Sequence, residues 1–568
     1  MPIPVYRAIA EFLKTKGVQQ IYGLCGGHIQ PLWDELFRQG IGIIDVRDER
    51  AAVHMAQAQG ELTADPGCVL VTAGPGLTNA LTGIANAHVS RTPVFVLSCT
   101  PPRPQLGMGA LQEISQVEMV KPVTRYACSV RHTRLLAAEL DRAFSSCLGA
   151  FGDPGPVYLD FPADLLRESF PGRIPKRGPH PGIKRVRPLD AEIEAAAGLL
   201  ASSRRPLLIS GKGARGAASE LQEFIEAWNC LYLDTVESRG LIPEDHPACV
   251  PAVRGRAMQE ADLVLTVGRD LDYQLGYGSS AVFPRAGFVR IGSSPSELGG
   301  NRPGEKELCG YLPEILKGLT TRLKKQRPAA EQTWLDTLKA ADAGKRKSLY
   351  AEIFKEPRGK DGGIHPRYLL ARLRQKIEAE GLVIADGGDI LSFSRMLMTG
   401  TDYLDCGSFG CLGLGVPYGV AAGLLFPNRQ IVVVSGDGAF GFNAMELDTC
   451  VRHRARVLFI LANNRAWNIE RNDQLTSYQG RIVGSELEGP NYSDLARSLG
   501  LYAERVSEPE ELPEAIKRGL RQLPALLDVQ TTREVFSPDG LSGLARVPDY
   551  QALEKWDALE RKNLGQGA

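Results

Sequence analysis

The chain has 568 residues, enough for about three or four domains of about 150 residues each. Apolar residues make up 43% and charged residues 23%, and 66 Lys and Arg balance 66 Asp and Glu, so nothing in the composition favours a nucleic-acid or membrane partner. The eleven cysteines form no CxxC pair and are expected to be reduced thiols of a cytoplasmic enzyme.

The first segment, MPIPVYRAIAEFLKTKG, has charges inside an apolar pattern and predicts the amphipathic helix of a domain rather than a signal peptide. Short β-rich runs bounded by Gly or Pro then alternate with helix-like stretches, at residues 67–74, 92–98 and 155–162. This alternation is typical of βαβ units and a parallel sheet.

Two breaks divide the rest of the chain. Residues 170–188 are rich in Pro, Gly and positive charge and predict a linker, whereas residues 320–363 are charged and mostly helical, as in a connector. Strand-like runs recur between and beyond these breaks. The predicted units are therefore three α/β domains and a tail, in residues 1–168, 186–330, 362–535 and 536–568.

The tail contains turn residues and little to anchor it, followed by a helix-like stretch at 549–562 with an apolar stripe. A free tail needs no such stripe, so we expect it to dock on the body of the protein. It is either a lid over an active site or a helix that packs against a neighbouring subunit.

The most informative segment begins where a predicted strand, Ile431–Val434, runs into the sequence Gly-Asp-Gly at 436–438. A helix-like stretch and a second strand follow, and that strand ends in Asn463-Asn464. A βαβ unit of this length brings both strand ends to one edge of the sheet, where open α/β sheets bind ligands.

These residues suit a diphosphate held through a divalent cation. Asp437 offers a carboxylate oxygen, Asn464 an amide oxygen, and a backbone carbonyl just after it, assigned to Ala466, a third; Mg²⁺ favours such ligands together with phosphate oxygens. Gly436 and Gly438 let the backbone approach a phosphate at a helix N-terminus. The alternative is two turns that bind no ligand. The occurrence of Gly-Asp-Gly and Asn-Asn together at this spacing disfavours that alternative.

Gly-Asp-Gly followed after 24 residues by Asn-Asn resembles the thiamine-diphosphate signature of the decarboxylase and acetohydroxyacid-synthase superfamily. The resemblance extends over nearly the whole chain and implies thiamine diphosphate and Mg²⁺ as cofactors. It implies three doubly wound parallel-sheet α/β domains: pyrimidine-binding, central Rossmann-like and diphosphate-binding. Further cofactor contacts are assigned to Gly388, Ala439 and Trp467.

The segment DVRDERAAVHMAQAQGEL resembles the family's strand–turn–helix that carries the activating glutamate, which makes Glu49 the candidate. In the family this glutamate hydrogen-bonds the N1′ nitrogen of the aminopyrimidine and promotes loss of the proton on C2. Gly76 and Asn79, in a segment similar to the family's glycine turn, are expected to line the cofactor. A solvated carboxylate at a helix start is the alternative for Glu49.

Residues 406–425 resemble the Gly-rich loop in which a large apolar residue holds the two cofactor rings in a bent shape. By position that residue is Leu412, and the carbonyl of Gly410 is expected to accept from the 4′-amino group. Family active sites form between the first domain of one subunit and the third domain of another. The resemblance therefore implies at least a homodimer, and we predict a homotetramer.

Three residues bear on the substrate. His28 lies in a loop similar to that of benzaldehyde-lyase and acetolactate-synthase-like proteins, and Gln112 lies in a stretch similar to 2-hydroxyacyl-CoA lyases. Glu470 follows Asn464 by six residues, and a carboxyl group there can shuttle the proton of a 2-hydroxyl. A loop histidine bonded to backbone, and a surface pair of Glu470 with Arg471, are the alternatives.

Residues 210–220 are Gly-rich after a predicted strand, as in loops that cradle phosphates, and resemble the ADP site of oxalyl-CoA decarboxylases and hydroxyacyl-CoA lyases. The later strand, VRIGSS (289–294), lacks the acidic residue that such relatives use for a ribose. ADP in the central domain is therefore left open, and FAD is disfavoured.

The leading hypothesis is a lyase that cleaves or forms the C1–C2 bond of 2-hydroxyacyl-CoA, with an aldehyde or ketone and formyl-CoA as the other reactants. The enzyme alternative is an acetolactate-synthase-like or benzaldehyde-lyase-like carboligase or decarboxylase of free 2-oxo acids or aldehydes. A regulatory protein is disfavoured because Glu49, Asp437 and Asn464 are all present. A dehydrogenase is disfavoured because no GxGxxG follows a strand with an acidic residue about 20 positions on.

Overall fold

The computed structural model describes residues 2–174, 186–326 and 328–542. Most of the predicted linker and the predicted tail helix at 549–562 lie outside the described residues. Within them, no helix is both long enough and apolar enough to cross a membrane.

The first domain is a six-stranded parallel sheet with helices on both faces. A short antiparallel pair, β1 with β8, joins its beginning to its end. Its elements are β1 (Ile3–Pro4), α1 (Val5–Thr15), β2 (Gln20–Gly23), α2 (Gln30–Arg38), β3 (Gly42–Asp45), α3 (Glu49–Thr63), β4 (Gly67–Leu70), α4 (Pro75–Val89), β5 (Val94–Thr100), α5 (Gln116–Val120), β6 (Tyr126–Ser129), α6 (Leu136–Cys147), β7 (Val157–Pro162) and β8 (Ser169–Phe170).

The middle domain is a five-stranded parallel sheet in the order β10-β9-β11-β12-β13. The predicted connector after it is part of this domain, because α11 buries Trp334, Leu335 and Leu338 in the domain's own core. Its elements are α7 (Asp190–Ser202), β9 (Pro206–Ser210), α8 (Ala218–Trp228), β10 (Leu231–Leu233), α9 (Arg254–Glu260), β11 (Leu263–Val267), β12 (Gly287–Gly292), β13 (Lys306–Cys309), α10 (Leu312–Leu323) and α11 (Gln332–Ile353).

The third domain is again a six-stranded parallel sheet. Its elements are α12 (Pro366–Arg374), β14 (Leu382–Asp386), α13 (Asp389–Leu397), β15 (Asp402–Leu404), α14 (Gly415–Leu425), β16 (Ile431–Gly436), α15 (Asp437–Phe440), α16 (Glu446–Arg452), β17 (Leu458–Asn463), α17 (Asn468–Ser477), α18 (Tyr492–Ser498), β18 (Tyr502–Val506), α19 (Leu512–Arg521), β19 (Ala525–Gln530) and α20 (Pro538–Ser542).

The two six-stranded sheets share one topology. Their orders are β3-β2-β4-β5-β7-β6 and β15-β14-β16-β17-β19-β18, so both have the order 2-1-3-4-6-5 when strands are counted within the sheet. In each sheet the winding reverses beside its first strand, which places a crevice at the carboxyl ends of the first and third strands.

A shared core joins the first and third domains. α14 is apolar on nearly every side because it packs on β16 in its own domain and on α3 of the first domain. At its centre Gly419 has no room for a side chain, since a Cβ there would lie 2.5 Å from Val433 Cγ2. The packing of α14 on both β16 and α3 fixes α3, which begins at Glu49, relative to the third sheet.

Candidate active site

A cavity of about 670 Å³, here called the first cavity, opens at the carboxyl edge of the third sheet. The loops after β14, β15, β16 and β17 form its walls, as the reversal of winding beside β14 predicts. It brings together every third-domain residue predicted for the site: Gly388, Gly410, Leu412, Gly436, Asp437, Gly438, Ala439, Asn464, Ala466, Trp467 and Glu470.

Asp437 begins α15 and is 1% exposed, and its Oδ2 is buried without a hydrogen-bond partner. Burial raises the pKa of this carboxyl to about 7, although backbone N–H groups, including those of Asn464 and Gly438, act in the opposite direction. Asn464 Oδ1 accepts from the Ala466 N–H at 3.1 Å. A buried, unpartnered carboxylate oxygen beside an amide oxygen fits a divalent cation.

The described residues contain no cluster of three His, Cys, Asp or Glu side chains that could enclose a metal ion. Asp437 and Asn464 would therefore share the cation with backbone, phosphate and water oxygens. That mixture suits Mg²⁺, which keeps several waters and phosphate oxygens in its coordination sphere.

Two glycines near the motif lie where a side chain would either clash with a neighbour or enter open space. A Cβ on Gly438 would lie 2.6 Å from Trp467 Cζ3, and Trp467 in turn packs edge-on against Phe442, with ring centroids 6.2 Å apart. Gly410 has a φ of +68° and faces open space. Leu412, two residues on, is half-buried in the cavity wall.

Glu470 lies in the wall of the first cavity and is largely exposed, and partial desolvation raises the pKa of its carboxyl. Arg471 forms its ion pairs elsewhere, with Glu486 at 3.1 Å and with Glu534 at 3.6 Å. The geometry thus favours the substrate-facing interpretation of Glu470 over a surface pair with Arg471.

A second group of predicted residues lies at the carboxyl edge of the first sheet. Glu49 begins α3, is 6% exposed, and accepts a hydrogen bond from Asn79 Nδ2 at 3.1 Å. A Cβ on Gly76 would lie 3.4 Å from Glu49 Oε1. Glu49, Gly76 and Asn79 are therefore neighbours, and Glu49 is not the solvated carboxylate of the alternative.

His28 and Gln112 belong to the same edge. Partial burial lowers the pKa of His28, while the hydrogen bond between His28 and the Gln112 side chain has the opposite effect. Gln112 has a φ of +64° and crowds Gly74, where a Cβ would lie 2.8 Å from that of Gln112. The buried contact to the Gly74 N–H is made by Gln116 Oε1 at 2.7 Å, a residue that sequence reasoning missed.

These two groups do not meet within one chain. Among the described residues, the walls of the first cavity come from the third domain and from Tyr273 and Tyr277 of the middle domain, with no first-domain residue. The arrangement is compatible with a site completed by a second subunit, which stays a prediction.

The C-terminal segment corrects the expectation that little anchors it. Val535 O accepts from Asn468 Nδ2 and Asn472 Nδ2, at 3.4 and 3.3 Å, and the Asp539 N–H donates to Ser392 Oγ at 2.9 Å. Asp539 also lies in the wall of the first cavity. Residues 535–542, here called the strap, therefore lie across the third domain, and α20 packs on α13.

The Gly-rich loop of the middle domain is occupied by protein contacts. Lys212 Nζ donates to Glu61 Oε1 at 2.6 Å and to Thr92 Oγ1 at 2.7 Å, both in the first domain. A Cβ on Gly213 would lie 3.3 Å from the buried carboxylate of Glu297. A lysine already paired and a carboxylate at the loop do not fit a nucleotide phosphate there.

The chain matches three thiamine pyrophosphate (thiamine diphosphate) enzyme domains: the N-terminal TPP binding domain over residues 3–119, the central domain over 193–319 and the C-terminal TPP binding domain over 389–529. It is 32% identical to "Acetolactate synthase large subunit IlvG" of Mycobacterium tuberculosis, over 94% of this chain and 96% of that protein. It is 29% identical to human "2-hydroxyacyl-CoA lyase 1" (93% and 95%) and 28% identical to "2-hydroxyacyl-CoA lyase 2" of Caenorhabditis elegans (88% and 84%). Matches of this length, on a chain whose sheets have this topology, show that it belongs to the thiamine pyrophosphate enzyme family.

Proposed function

We propose that this thiamine-diphosphate-dependent enzyme is a lyase that cleaves or forms the C1–C2 bond of 2-hydroxyacyl-CoA, with an aldehyde or ketone and formyl-CoA on the other side of the reaction. The family supplies the cofactor, and relatives named as 2-hydroxyacyl-CoA lyases align over nearly the whole chain. The assignment of an acyl-CoA substrate is supported by a second cavity beside the first.

The second cavity has a volume of about 640 Å³ and lies between the middle and third domains. It shares Tyr273, Arg395 and Asp539 with the first cavity, so the two spaces meet at these residues. A free 2-oxo acid needs only the space beside the cofactor. A coenzyme A thioester carries a long pantetheine arm and phosphate groups, which need a continuation of this kind.

The second cavity also carries cationic groups that suit phosphate. Arg239 is 6% exposed, and its Nη1 has no hydrogen-bond partner although its Nε contacts Asp234 at 3.3 Å. Burial lowers the pKa of Arg254, which also lies near Arg239. Lys345 is exposed in the same wall. Arg254 donates from Nη1 to Asp234 O at 3.0 Å, but neither Arg254 nor Lys345 forms an ion pair with an acidic side chain among the described residues, so both keep charge for an anion.

The residues of the first cavity then have definite tasks. Asp437, Asn464 and the carbonyl of Ala466 would hold Mg²⁺, and the glycines beside them would receive the diphosphate. Leu412 supports the cofactor rings. When bound, thiamine diphosphate supplies a thiazolium ring that stabilises the carbanion at the broken bond. Glu470 takes or returns the proton of the 2-hydroxyl.

Glu49, with Asn79, completes the site from a second subunit, and so do His28 and Gln112. The minimal unit of the proposal is therefore a homodimer, assembled as a homotetramer. A nucleotide in the middle domain has no part in it, because Lys212 is already paired with Glu61.

A carboligase acting on free 2-oxo acids is the second candidate, favoured by the 32% identity to the protein named acetolactate synthase. Side-by-side turnover of 2-hydroxyacyl-CoAs and free 2-oxo acids, with formyl-CoA and CO₂ both monitored, separates the two. Formyl-CoA from the thioesters supports the lyase. Turnover of free 2-oxo acids alone, with release of CO₂, would replace it with the carboligase.

The second cavity has its own test. Arg254→Gln combined with Lys345→Ala should raise KM for acyl-CoA by about 10-fold or more, since two charge-assisted contacts are lost. Activity on a small aldehyde should not change. The matched control is Arg285→Ala, an exposed arginine of the same domain in a separate groove. Equal KM values for acyl-CoA in the wild type, the double variant and Arg285→Ala would show that the second cavity does not bind the substrate.

A further inference from the structure

The segment that follows the Gly-Asp-Gly motif, Phe442–Glu446, contacts the first domain at the turn before α3. Glu446 begins α16 and is 1% exposed. Its Oε1 accepts from the backbone N–H groups of Arg47 and Asp48, at 3.0 and 3.1 Å, and its Oε2 accepts from Thr449 Oγ1 at 2.6 Å. A third-domain carboxylate thus holds two successive amides of a first-domain turn.

That turn immediately precedes Glu49. Asp48 is the N-cap of α3, and its Oδ1 accepts from the Arg50 N–H at 2.8 Å, so the turn and the first residue of the helix form one rigid unit. Glu446 binds the N–H of this cap residue and the N–H of the residue before it. The place of Glu49 is therefore set from across the domain boundary.

A second contact comes from the same segment. Arg50 Nη2 donates to Phe442 O at 2.8 Å and to Asn443 Oδ1 at 3.1 Å. Asn443 Nδ2 donates in turn to Gly413 O at 2.6 Å, next to Leu412 in the wall of the first cavity. Phe442–Glu446 therefore contacts both the turn before Glu49 and the loop that carries Leu412.

Simple attachment of the two domains does not require Glu446. Asp45 forms an ion pair with Arg452 and a hydrogen bond with His453 at 2.8 Å, and the buried packing of α14 on α3 joins the same domains. Arg47 also has a side-chain pair with Asp448 at 3.4 Å. To these contacts Glu446 adds two hydrogen bonds made directly to backbone amides.

We propose that Glu446 is a positioning residue for Glu49, holding the turn before it at the angle that the cofactor requires. The inference rests on the role proposed above for Glu49. Glu446 is not in the wall of the first cavity, and its effect passes through the two amides that it binds.

The first measurement is amide hydrogen–deuterium exchange of the peptide that contains Arg47 and Asp48, in the cofactor-free protein. Glu446→Leu and Glu446→Asp should both speed this exchange, because leucine has no acceptor and aspartate is one methylene too short. Glu446→Gln keeps one acceptor oxygen and should restore protection. The control, Asp448→Asn, weakens the side-chain pairs that Asp448 forms with Arg47 and Arg452, and should leave the amides protected because the Glu446 carboxylate stays in place.

The second measurement is exchange of the C2 proton of bound thiamine diphosphate in deuterated buffer. Misplacement of a catalytic group by about 1 Å costs roughly 100-fold, so Glu446→Leu and Glu446→Asp should slow this exchange by about that factor, with cofactor affinity unchanged and partial rescue in Glu446→Gln. Glu49→Gln is the reference. If Glu49→Gln exchanges at the wild-type rate, the role proposed for Glu49 fails. If Glu49→Gln is slow while Glu446→Leu and Glu446→Asp are as fast as the wild type, the positioning role alone is overturned.

Discussion

Asp437 gives the first cavity a carboxylate oxygen that has no partner in the protein. In Asp437→Ala the diphosphate would face only amide and carbonyl dipoles. We expect thiamine diphosphate affinity to fall by more than the roughly 10- to 100-fold that loss of an outer partner costs at a metal site. The variant should lose the cofactor on gel filtration.

Calorimetric titration with thiamine diphosphate and Mg²⁺ measures the change. Glu470→Gln is the matched control, because Glu470 lies in the same cavity wall and is not an assigned metal ligand; it should retain the cofactor and lose turnover. Wild-type cofactor affinity in Asp437→Ala would contradict the Mg²⁺ assignment.

Asp386 offers a pH test of the cavity wall. It is buried at the end of β14 and accepts from the N–H groups of Gly413, at 3.1 Å, and Gly415, at 2.9 Å. Burial raises the pKa of this carboxyl from 3.8 to about 6. Folding therefore takes up a proton between about pH 4 and pH 6, and the protein loses up to about 3 kcal/mol of stability as pH rises through that range.

Asp386→Asn cannot take up this proton. The thermal midpoint of the wild type, measured relative to Asp386→Asn, should therefore fall by several degrees from pH 4 to pH 6 and stay level above it. Asp34→Asn, at an exposed position on α2, is the control and should follow the wild type at every pH. A constant difference between the wild type and Asp386→Asn would show that folding does not raise the pKa of Asp386.

The sequence predicts residues whose role depends on near neighbours and misses those whose role depends on distant ones. Asp437 and Asn464 were predicted to lie together because they end two strands of one βαβ unit, and both line one cavity. Glu446 binds amides 398 and 399 residues away in the chain. Tyr273 reaches the cavity from another domain, and no local pattern indicates such a contact.

Among the elements, buried central strands were easier to predict than edge strands. β4, β5 and β7 are apolar on both faces because helices cover the sheet, and they stand out as Gly- or Pro-bounded runs. β3 and β18 are edge strands of their sheets, and each mixes buried residues with partly or fully exposed ones over four or five positions. The common topology of the first and third domains is a repeat of strand order, and no short sequence repeat accompanies it.

The strap is expected to close the junction of the two cavities. Truncation after Thr532 removes the Val535 carbonyl that binds Asn468 and Asn472, and the Asp539 N–H that binds Ser392. The truncated protein should keep its assembly and cofactor but lose most acyl-CoA activity, because the junction of the two cavities loses a wall and water enters.

Truncation after Ser542 is the matched control, because it keeps the strap and removes only the residues beyond it. Turnover and analytical ultracentrifugation of both proteins decide between the interpretations. Full acyl-CoA activity after truncation at Thr532 would rule out a lid, and dissociation into monomers would make the tail an interface element. Loss of activity in both truncated proteins would show that residues beyond the strap also belong to the lid.

For the whole molecule, the central fact is that one chain holds the two predicted halves of a site apart. Glu49 and Asn79 lie at the edge of the first sheet, whereas the first cavity is walled by the third and middle domains. The packing of α3 on α14 makes this separation rigid. If the site needs both halves, a second chain must bring its first domain to this cavity.

This requirement predicts complementation between two inactive variants. In a mixed dimer of Glu49→Gln and Asp437→Ala chains, one site contains both substitutions and the other contains neither. Co-expression with random pairing should therefore give about a quarter of wild-type activity, since half of the dimers are mixed and each has one intact site. Each variant alone should be inactive.

The control pairs Asp437→Ala with Asn464→Ala, two positions of the same cavity wall, so every site in every dimer lacks a metal ligand and no activity should return. If Glu49 instead serves the cavity of its own chain, both sites of the mixed dimer are defective, and the first pair stays as inactive as the control.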